Sequence, residues 1–311
     1  MQKAPPTPKG FRDILPQNAK KRREVINTIA NVLEENGFVP LETPTVEFAS
    51  TLTGKYGEEE KLIYKFTDRG GRDLALRYDL TVPLARFVAN NQNLLTPTFS
   101  RYQIGQVFRG ENPQHGRYRE FTQFDFDTVG QSSHEEDARI IATAISSIKK
   151  IGLKDSVMLI NDRGNFEKTP IDVVRAIDKL HKVGVEGIKK ELLEKNMAED
   201  DIENHLYNIK NAKPTENLEK IFKLLSDEYS LAEGADFIFD PTLARGLDYY
   251  TGAIFELKPS KNPADLTIGS GGRYDNLIGM FAGKNNLPAG RQVPAVGFSF
   301  GIDRIVDLLL T

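Results

Sequence analysis

The sequence predicts an α+β protein: an antiparallel sheet flanked by helices, with a helical subdomain inserted into it. Three observations carry that prediction. Runs with strand character at Tyr102–Arg109 and Tyr118–Val129 flank a loop rich in Asn, Pro, Gln, His and Gly, the grammar of a long-tipped hairpin. Hairpin-like pairs dominate elsewhere too. Neither GxxxxGK[ST] nor a GxGxxG opening a βα unit occurs, which argues against a P-loop or a parallel doubly wound sheet. From about Phe166 to Leu231 the texture changes to short helices rich in Lys and Glu, with few aromatics. The organisation predicted is a sheet domain in two parts, 1–165 and 232–311, interrupted by helices over 166–231.

Taken in order, PPTPKGFRDILP is extended and proline-rich, and Gln17–Asn36 follows as a helix. Its apolar stripe is Val25, Ile26, Ile29, Val32 and Leu33, and Gly37 stops it. Gly37–Thr45 reads as a proline-broken strand, at a sheet edge or an interface. Leu62–Thr67 and Asp73–Arg77 read as strands joined by DRGGR. Thr81 can cap the next helix, which carries Pro83 in its first turn. Asp79, just before that helix, suits free backbone donors, and spacing alone does not separate capping from a binding role. SSHEEDARIIATAISSIKKIG is an amphipathic helix with Ser132 or Ser133 opening a capping box and Gly152 closing it. Val157–Asn161 is a short strand. Thr169-Pro170 opens the inserted helices, with turns near Gly184, Asn196 and Pro214. Strand texture returns at Asp236–Asp240 and Gly252–Leu257, then in IGSGGRYDNL, and finally in a strand that runs into Gly301 and a helix.

A chain of 311 residues can bury a sizeable core. Its charged fraction of 27% and net charge of −3 are those of a soluble protein with no global basic field, so a nucleic-acid contact would rest on local patches. The absence of cysteine excludes disulfides, thiolate zinc sites and a cysteine nucleophile, and the four histidines lack metal-ligand spacing. No structural zinc and no organic cofactor are expected. With no apolar run long enough to span a bilayer and no signal-peptide core at the start, a cytoplasmic protein is the expectation.

The chemistry concentrates in residues 107–130. Alternation in the second strand places Tyr118, Thr122, Phe124 and Phe126 on a core face, and Arg119, Phe121, Gln123, Asp125 and Asp127 on the other. That polar face is too charged to bury dry, so it is either a solvated sheet face or a working one. Arg109, Arg117 and Arg119 around one loop, with Glu111 among them, suit a polyanion held by guanidinium forks. Glycine beside arginine recurs at Arg109, Arg245, Arg273 and Arg304, as for one polyphosphate site assembled from several strands.

RYDLT, FRGENPQHGRYREFTQFDFD, LARGLDYYTG, GGRYDNL and GFSFGIDR, in this order, resemble the catalytic domain of the histidyl-tRNA synthetases, a class II aminoacyl-tRNA synthetase family. The resemblance covers essentially the whole chain, and RYDLT and DFD are closer to the eukaryotic-archaeal style. It implies the class II antiparallel sheet with flanking helices, and a homodimer formed through the helix and broken strand at 17–45 (motif 1). It further implies activation of L-histidine with ATP and Mg²⁺, followed by transfer of histidine to the 3′ end of tRNA(His).

Under that resemblance Arg109, Arg245 and Arg304 are the catalytic arginines. Arg109 (motif 2) grips the α-phosphate and the amino-acid carboxylate, Arg245 stands at the α-phosphate, and Arg304 (motif 3) lies on the bent ATP. Glu111, Arg117 and Phe121 complete the ATP site. Histidine is held by Asp79, Thr81 and Gln123 at its α-amino group and by Asp127 and Tyr250 at its ring, with Tyr249, Arg109 and Arg245 alongside. Gln114 and His115 either face the tRNA acceptor end or are simply an exposed loop. The family normally continues into a C-terminal anticodon-binding domain, whereas this sequence stops at GIDRIVDLLLT. A core cut from a longer chain is the expectation, and a naturally short chain the alternative. The rival function is the regulatory paralogue of ATP phosphoribosyltransferase, which binds histidine without making adenylate and tends to lose the catalytic arginines. A synthetase-like tRNA-binding sensor fits less well for the same reason.

Overall fold

The computed structural model of the protein describes residues 5–114, 116–245, 249–262, 266–281 and 292–310. The chain opens with α1 (Pro16–Glu35), β1 (Val39–Pro40), β2 (Val46–Phe48), α2 (Ala49–Leu52), β3 (Lys65–Thr67), β4 (Asp73–Leu76) and α3 (Thr81–Asn91). The long hairpin β5 (Phe99–Phe108) and β6 (Glu120–Val129) leads to α4 (His134–Lys150) and β7 (Val157–Asp162). Four helices follow: α5 (Ile171–Ile177), α6 (Leu180–Glu194), α7 (Glu199–Lys210) and α8 (Glu216–Asp227). The chain closes with β8 (Phe237–Phe239), β9 (Ala253–Lys258), β10 (Gly269–Arg273), β11 (Ala295–Gly301) and α9 (Ile302–Leu310).

The main sheet has the order β1-β5-β6-β11-β10-β9-β7-β8, and a small sheet runs β2-β4-β3. From β5 to β7 every neighbouring pair is antiparallel, as expected. The two outer pairs, β1 with β5 and β7 with β8, are parallel, so the sheet is mixed. A parallel pair needs a long crossover, and α5–α8 supply the one between β7 and β8. The inserted helices therefore do topological work as well as adding surface.

Phe124, Phe126, Phe255, Phe298 and Phe300 cover one sheet face with their rings and meet α1, α4, α8 and α9 in one apolar core. The opposite face carries Tyr78, Tyr249, Tyr250 and Tyr274 and meets α3 and the first inserted helices. Aromatic bodies with polar tips leave that second face able to hold a ligand.

Several local expectations change. The segment 37–45 contributes only the two-residue β1, because prolines interrupt its ladder. Residues 57–62 form a 3₁₀ turn, leaving Lys65–Thr67 as the strand. Leu80 rather than Thr81 occupies the cap of α3, and the cap bond comes from Asp79, whose Oδ1 accepts the Val82 N–H at 3.0 Å. Ser133 caps α4 by position without a side-chain cap bond, while Glu135, Glu136 and Asp137 fill its positive first turn. Asp303, opening α9, accepts from Arg12, from Arg22 at 2.9 Å and from the Thr122 N–H at 2.7 Å, clamping the N-terminal segment, α9 and β6 together.

Candidate active site

The working face of β6 is the floor of an open cavity of about 330 Å³. Phe121, Gln123, Asp125 and Asp127 project into it at alternate positions, while Phe124 and Phe126 point into the core beneath. Asp79 and Thr81 enter at the start of α3, and Arg109, Glu111 and Arg117 come from the hairpin tip. Arg245, Tyr249 and Tyr250 close one side, and Arg304 comes from the first turn of α9. Residues spread over more than two hundred positions thus share one cavity. Gln114 is exposed and does not line it, being held in a narrow bridge with Arg117, and His115 lies outside the described residues.

The cavity carries charge of both signs. At the hairpin end the Arg109 guanidinium stacks on Tyr78, with its carbon 4.3 Å from the ring centroid, and donates through Nε to the Tyr78 carbonyl at 3.1 Å. Arg304 donates to the Gly116 carbonyl at 2.9 Å and the Thr267 carbonyl at 2.7 Å, which fixes its fork across the loop tip. Burial, then the neighbouring cations Arg117 and Arg109, pull its pKa down. Cations gathered this closely suit a ligand with several negative charges. Arg117 lies 3.7 Å from Glu111, and Arg245 lies 3.3 Å from Glu256 with its Nε unbonded among the described residues.

The same cavity offers buried acceptors, and Arg109 is near enough to Asp79 for the two to interact electrostatically. Asp79 is buried, its Oδ1 satisfied by Val82 and by the Tyr56 hydroxyl at 3.0 Å, while Oδ2 has no donor among the described residues. Gln123 Oε1 is in the same condition. Such orphan acceptors, facing one cavity, ask for a ligand rich in N–H.

Asp127 and Asp125 depart from expectation: both are 2% exposed, so the polar face is largely buried. Compensation comes from Arg101, 0% exposed on β5 directly opposite Asp127, with Nη2 2.6 Å from Asp127 Oδ2. The Tyr274 hydroxyl donates to Asp127 Oδ1. Gly297, across the ladder on β11, is required there because a Cβ would land on the Asp127 carboxylate.

Arg273 is a second correction. It turns away from the cavity and forms a buried pair with Asp137 of α4 at 2.9 Å, with further bonds to the Gln131 carbonyl and Asp275. Its glycine-rich strand supplies close approach, and its guanidinium ties the sheet to α4. Residues that sequence reasoning passed over in the cavity include Glu59, Tyr78, Asp125, Asp178 and Tyr274. Alternation already put Asp125 between Gln123 and Asp127, so that signal was available. The others come from segments without a motif.

Burial raises the pKa of Asp125 to about 7 and that of Asp137 to about 6, against the lowering effect of Arg101 and Arg273 respectively. An unfolded aspartate titrates near 4, so between about pH 4 and 7 the folded state holds more protons than the unfolded one. Stability of the ligand-free protein should therefore fall as pH rises from about 5 to 7 and level off above, by on the order of 1 kcal/mol per pH unit. Urea denaturation across this range checks the slope, and Asp125→Asn should flatten it between pH 6 and 7.

Known proteins fit this geometry. The family model for histidyl-tRNA synthetase matches residues 10–177 and 173–305. A histidine–tRNA ligase of Aeropyrum pernix is 44% identical over 97% of this chain and 74% of its own length. That of Wolinella succinogenes is 39% identical over 98% and 75%. The crystal structure of a histidyl-tRNA synthetase from Nostoc sp. PCC 7120 superposes with a TM-score of 0.82 at 29% identity, covering 99% of this chain and 76% of that one. A Bacillus halodurans protein described as an ATP phosphoribosyltransferase regulatory subunit/histidyl-tRNA synthetase shares the fold, with a TM-score of 0.80 at 24% identity over 100% of this chain and 85% of that one. By sequence and by fold, the chain belongs to the histidyl-tRNA synthetase family.

Proposed function

We propose that the protein activates L-histidine with ATP and passes the histidyl group to the 3′ end of tRNA(His). The observation that carries this reading is one cavity that gathers Arg109, Arg117 and Arg304 together with the buried acceptors Asp79 and Gln123, whose free oxygens lack donors among the described residues. Triphosphate belongs to the arginines and the ammonium group to the acceptors, with Arg109 beside both. Asp79, Thr81 and Gln123 receive the ammonium group; Asp127 and Tyr250 flank the imidazole, with Tyr249 packed against Tyr250 at 4.8 Å between centroids. Phe121 and Glu111 border the adenine.

A histidine carboxylate oxygen attacks the α-phosphorus, an O–P bond forms, and the bond to pyrophosphate breaks. No general base is needed, since the carboxylate is already ionised, so catalysis consists of positioning and cationic stabilisation. Arg109 and Arg245 neutralise the phosphoryl oxygens, and Arg304 holds the outer phosphates. Among the described residues no cluster of acids or histidines could by itself hold a metal, so Mg²⁺ would arrive with the triphosphate as part of the substrate. In the second half-reaction a terminal ribose hydroxyl attacks the histidyl carbonyl and AMP leaves.

The test is histidine-dependent exchange of pyrophosphate into ATP. It requires only the first half-reaction. Exchange with histidine and with no other amino acid supports the reading. Tight histidine binding without exchange would instead favour a regulatory paralogue, against which the gathering of Arg109, Arg245 and Arg304 argues.

The protein is further read as a homodimer joined through the helix and broken strand at 17–45 (motif 1), in and beside which Val39, Val46, Phe48 and Phe66 leave large apolar side chains exposed. Phe48, at 55% exposure, is the sharpest test. Light scattering should give a dimer for the parent protein, and Phe48→Glu should weaken its dissociation constant at least tenfold; a strict monomer would sink the motif 1 assignment. The inserted helices over 166–231 are read as one unit whose first helix also serves the site, since Asp178, at the end of α5, reaches the cavity wall.

A further inference from the structure

Asp125 occupies the middle of the cavity floor, between Gln123 and Asp127 on the same face of β6. It is 2% exposed, and its Oδ1 has no hydrogen-bond donor among the described residues, although Ser299 on the neighbouring β11 bonds the same carboxyl. A buried carboxyl oxygen without a donor, lining a ligand cavity, is costly unless the ligand supplies the missing hydrogen. The contrast with Asp127 is direct. There Oδ1 receives the Tyr274 hydroxyl, and Oδ2, although it too has no hydrogen-bond donor among the described residues, is ion-paired 2.6 Å from Arg101. A ligand that reaches from the Gln123 amide to the Asp127 carboxylate passes over Asp125.

We propose that Asp125 is a further specificity-determining residue, its free Oδ1 accepting a hydrogen bond from a ring N–H of the bound amino acid. The ligand class this selects is an amino acid with an N–H-bearing heteroaromatic side chain. The inference rests on the proposed function and assigns that site a carboxylate beyond Asp127. It has a consequence for pH. The groups facing Asp125 are Arg101 from β5, Asp127 on its own strand, Arg77 after β4, Asp79 before α3, Tyr250, and Tyr274 after β10. Burial raises the pKa of Asp125 to about 7 in the free protein and raises those of Asp127 and Asp79 as well, while Asp127 has the closer cation. Accepting a ring N–H favours the ionised carboxylate, so binding near neutral pH should expel its proton.

Calorimetry of histidine binding between pH 6 and 8.5, in buffers of different ionisation enthalpy, tests this. The parent protein should release a substantial fraction of a proton centred near pH 7. Asp125→Asn should reduce that release and weaken histidine binding about tenfold at pH 7.5 to 8, with the KM for ATP in pyrophosphate exchange unchanged. A dissociation constant within twofold of the parent across the range would overturn the proposal. So would the absence of proton release by the parent protein, a measurement that does not depend on the variant folding. If the parent protein binds no histidine at all, the proposed function itself fails, and this inference with it.

Discussion

Arg245→Ala is expected to abolish histidine-dependent pyrophosphate exchange, with kcat lowered by about 10²–10³. The arginine is half-buried against the cavity wall, held 3.3 Å from Glu256, and its charge is kept by Tyr250, Glu256 and Asp178 despite the loss of solvent. It lines the cavity, and its Nε has no partner among the described residues. If it stabilises charge that grows on the α-phosphoryl oxygens, kcat should fall much more than the KM for histidine rises. Arg245→Lys should recover little, because an ammonium cannot bond Glu256 and a phosphoryl oxygen with the same planar geometry. A variant that keeps kcat and loses only histidine affinity would move Arg245 from the chemistry to the amino-acid site.

Much of this was legible in the sequence, for identifiable reasons. Strand alternation is a local property, so the faces of β6 could be read from FTQFDFD: Phe124 and Phe126 fill the core, and Phe121 lines the cavity. Gly–Arg pairs pointed to Arg109, Arg245 and Arg304, which do line the cavity, because few other chemistries need close backbone approach beside a fork. The same rule misled at Arg273. Whether a guanidinium at a strand end faces ligand or core depends on what α4 brings to it, and Asp137 is distant in sequence. The parallel edges of the sheet were likewise invisible, since strand direction follows from crossovers rather than from composition. Arg101 was the largest omission. In FSRYQIG it belongs to no motif, and only the ladder places it opposite Asp127.

Arg101→Leu should cost about 3–5 kcal/mol of stability, more than any other single change in the site, because it strands buried charge. With the guanidinium gone, Asp127 keeps only the Tyr274 hydroxyl, and Asp125 loses its largest favourable electrostatic neighbour. Both carboxyls are already driven toward the protonated form by burial, so the damage should depend on pH. The loss should be greatest near pH 8, where ionisation is demanded of both, and smaller near pH 5.5, where each can bind a proton instead. Asp127→Asn placed on the Arg101→Leu background should restore part of the stability, although the same change alone destabilises the parent protein. That reversal of sign in a double-mutant cycle separates a charge pair from simple packing loss. If Arg101→Leu melts within 1 kcal/mol of the parent at pH 8 by urea denaturation, the carboxyls are neutral in the folded protein at that pH. The ring of a bound histidine would then meet two hydrogen-bond donors at the cavity floor rather than an anion, and the reading of Asp125 as the acceptor of a ring N–H would fall with it.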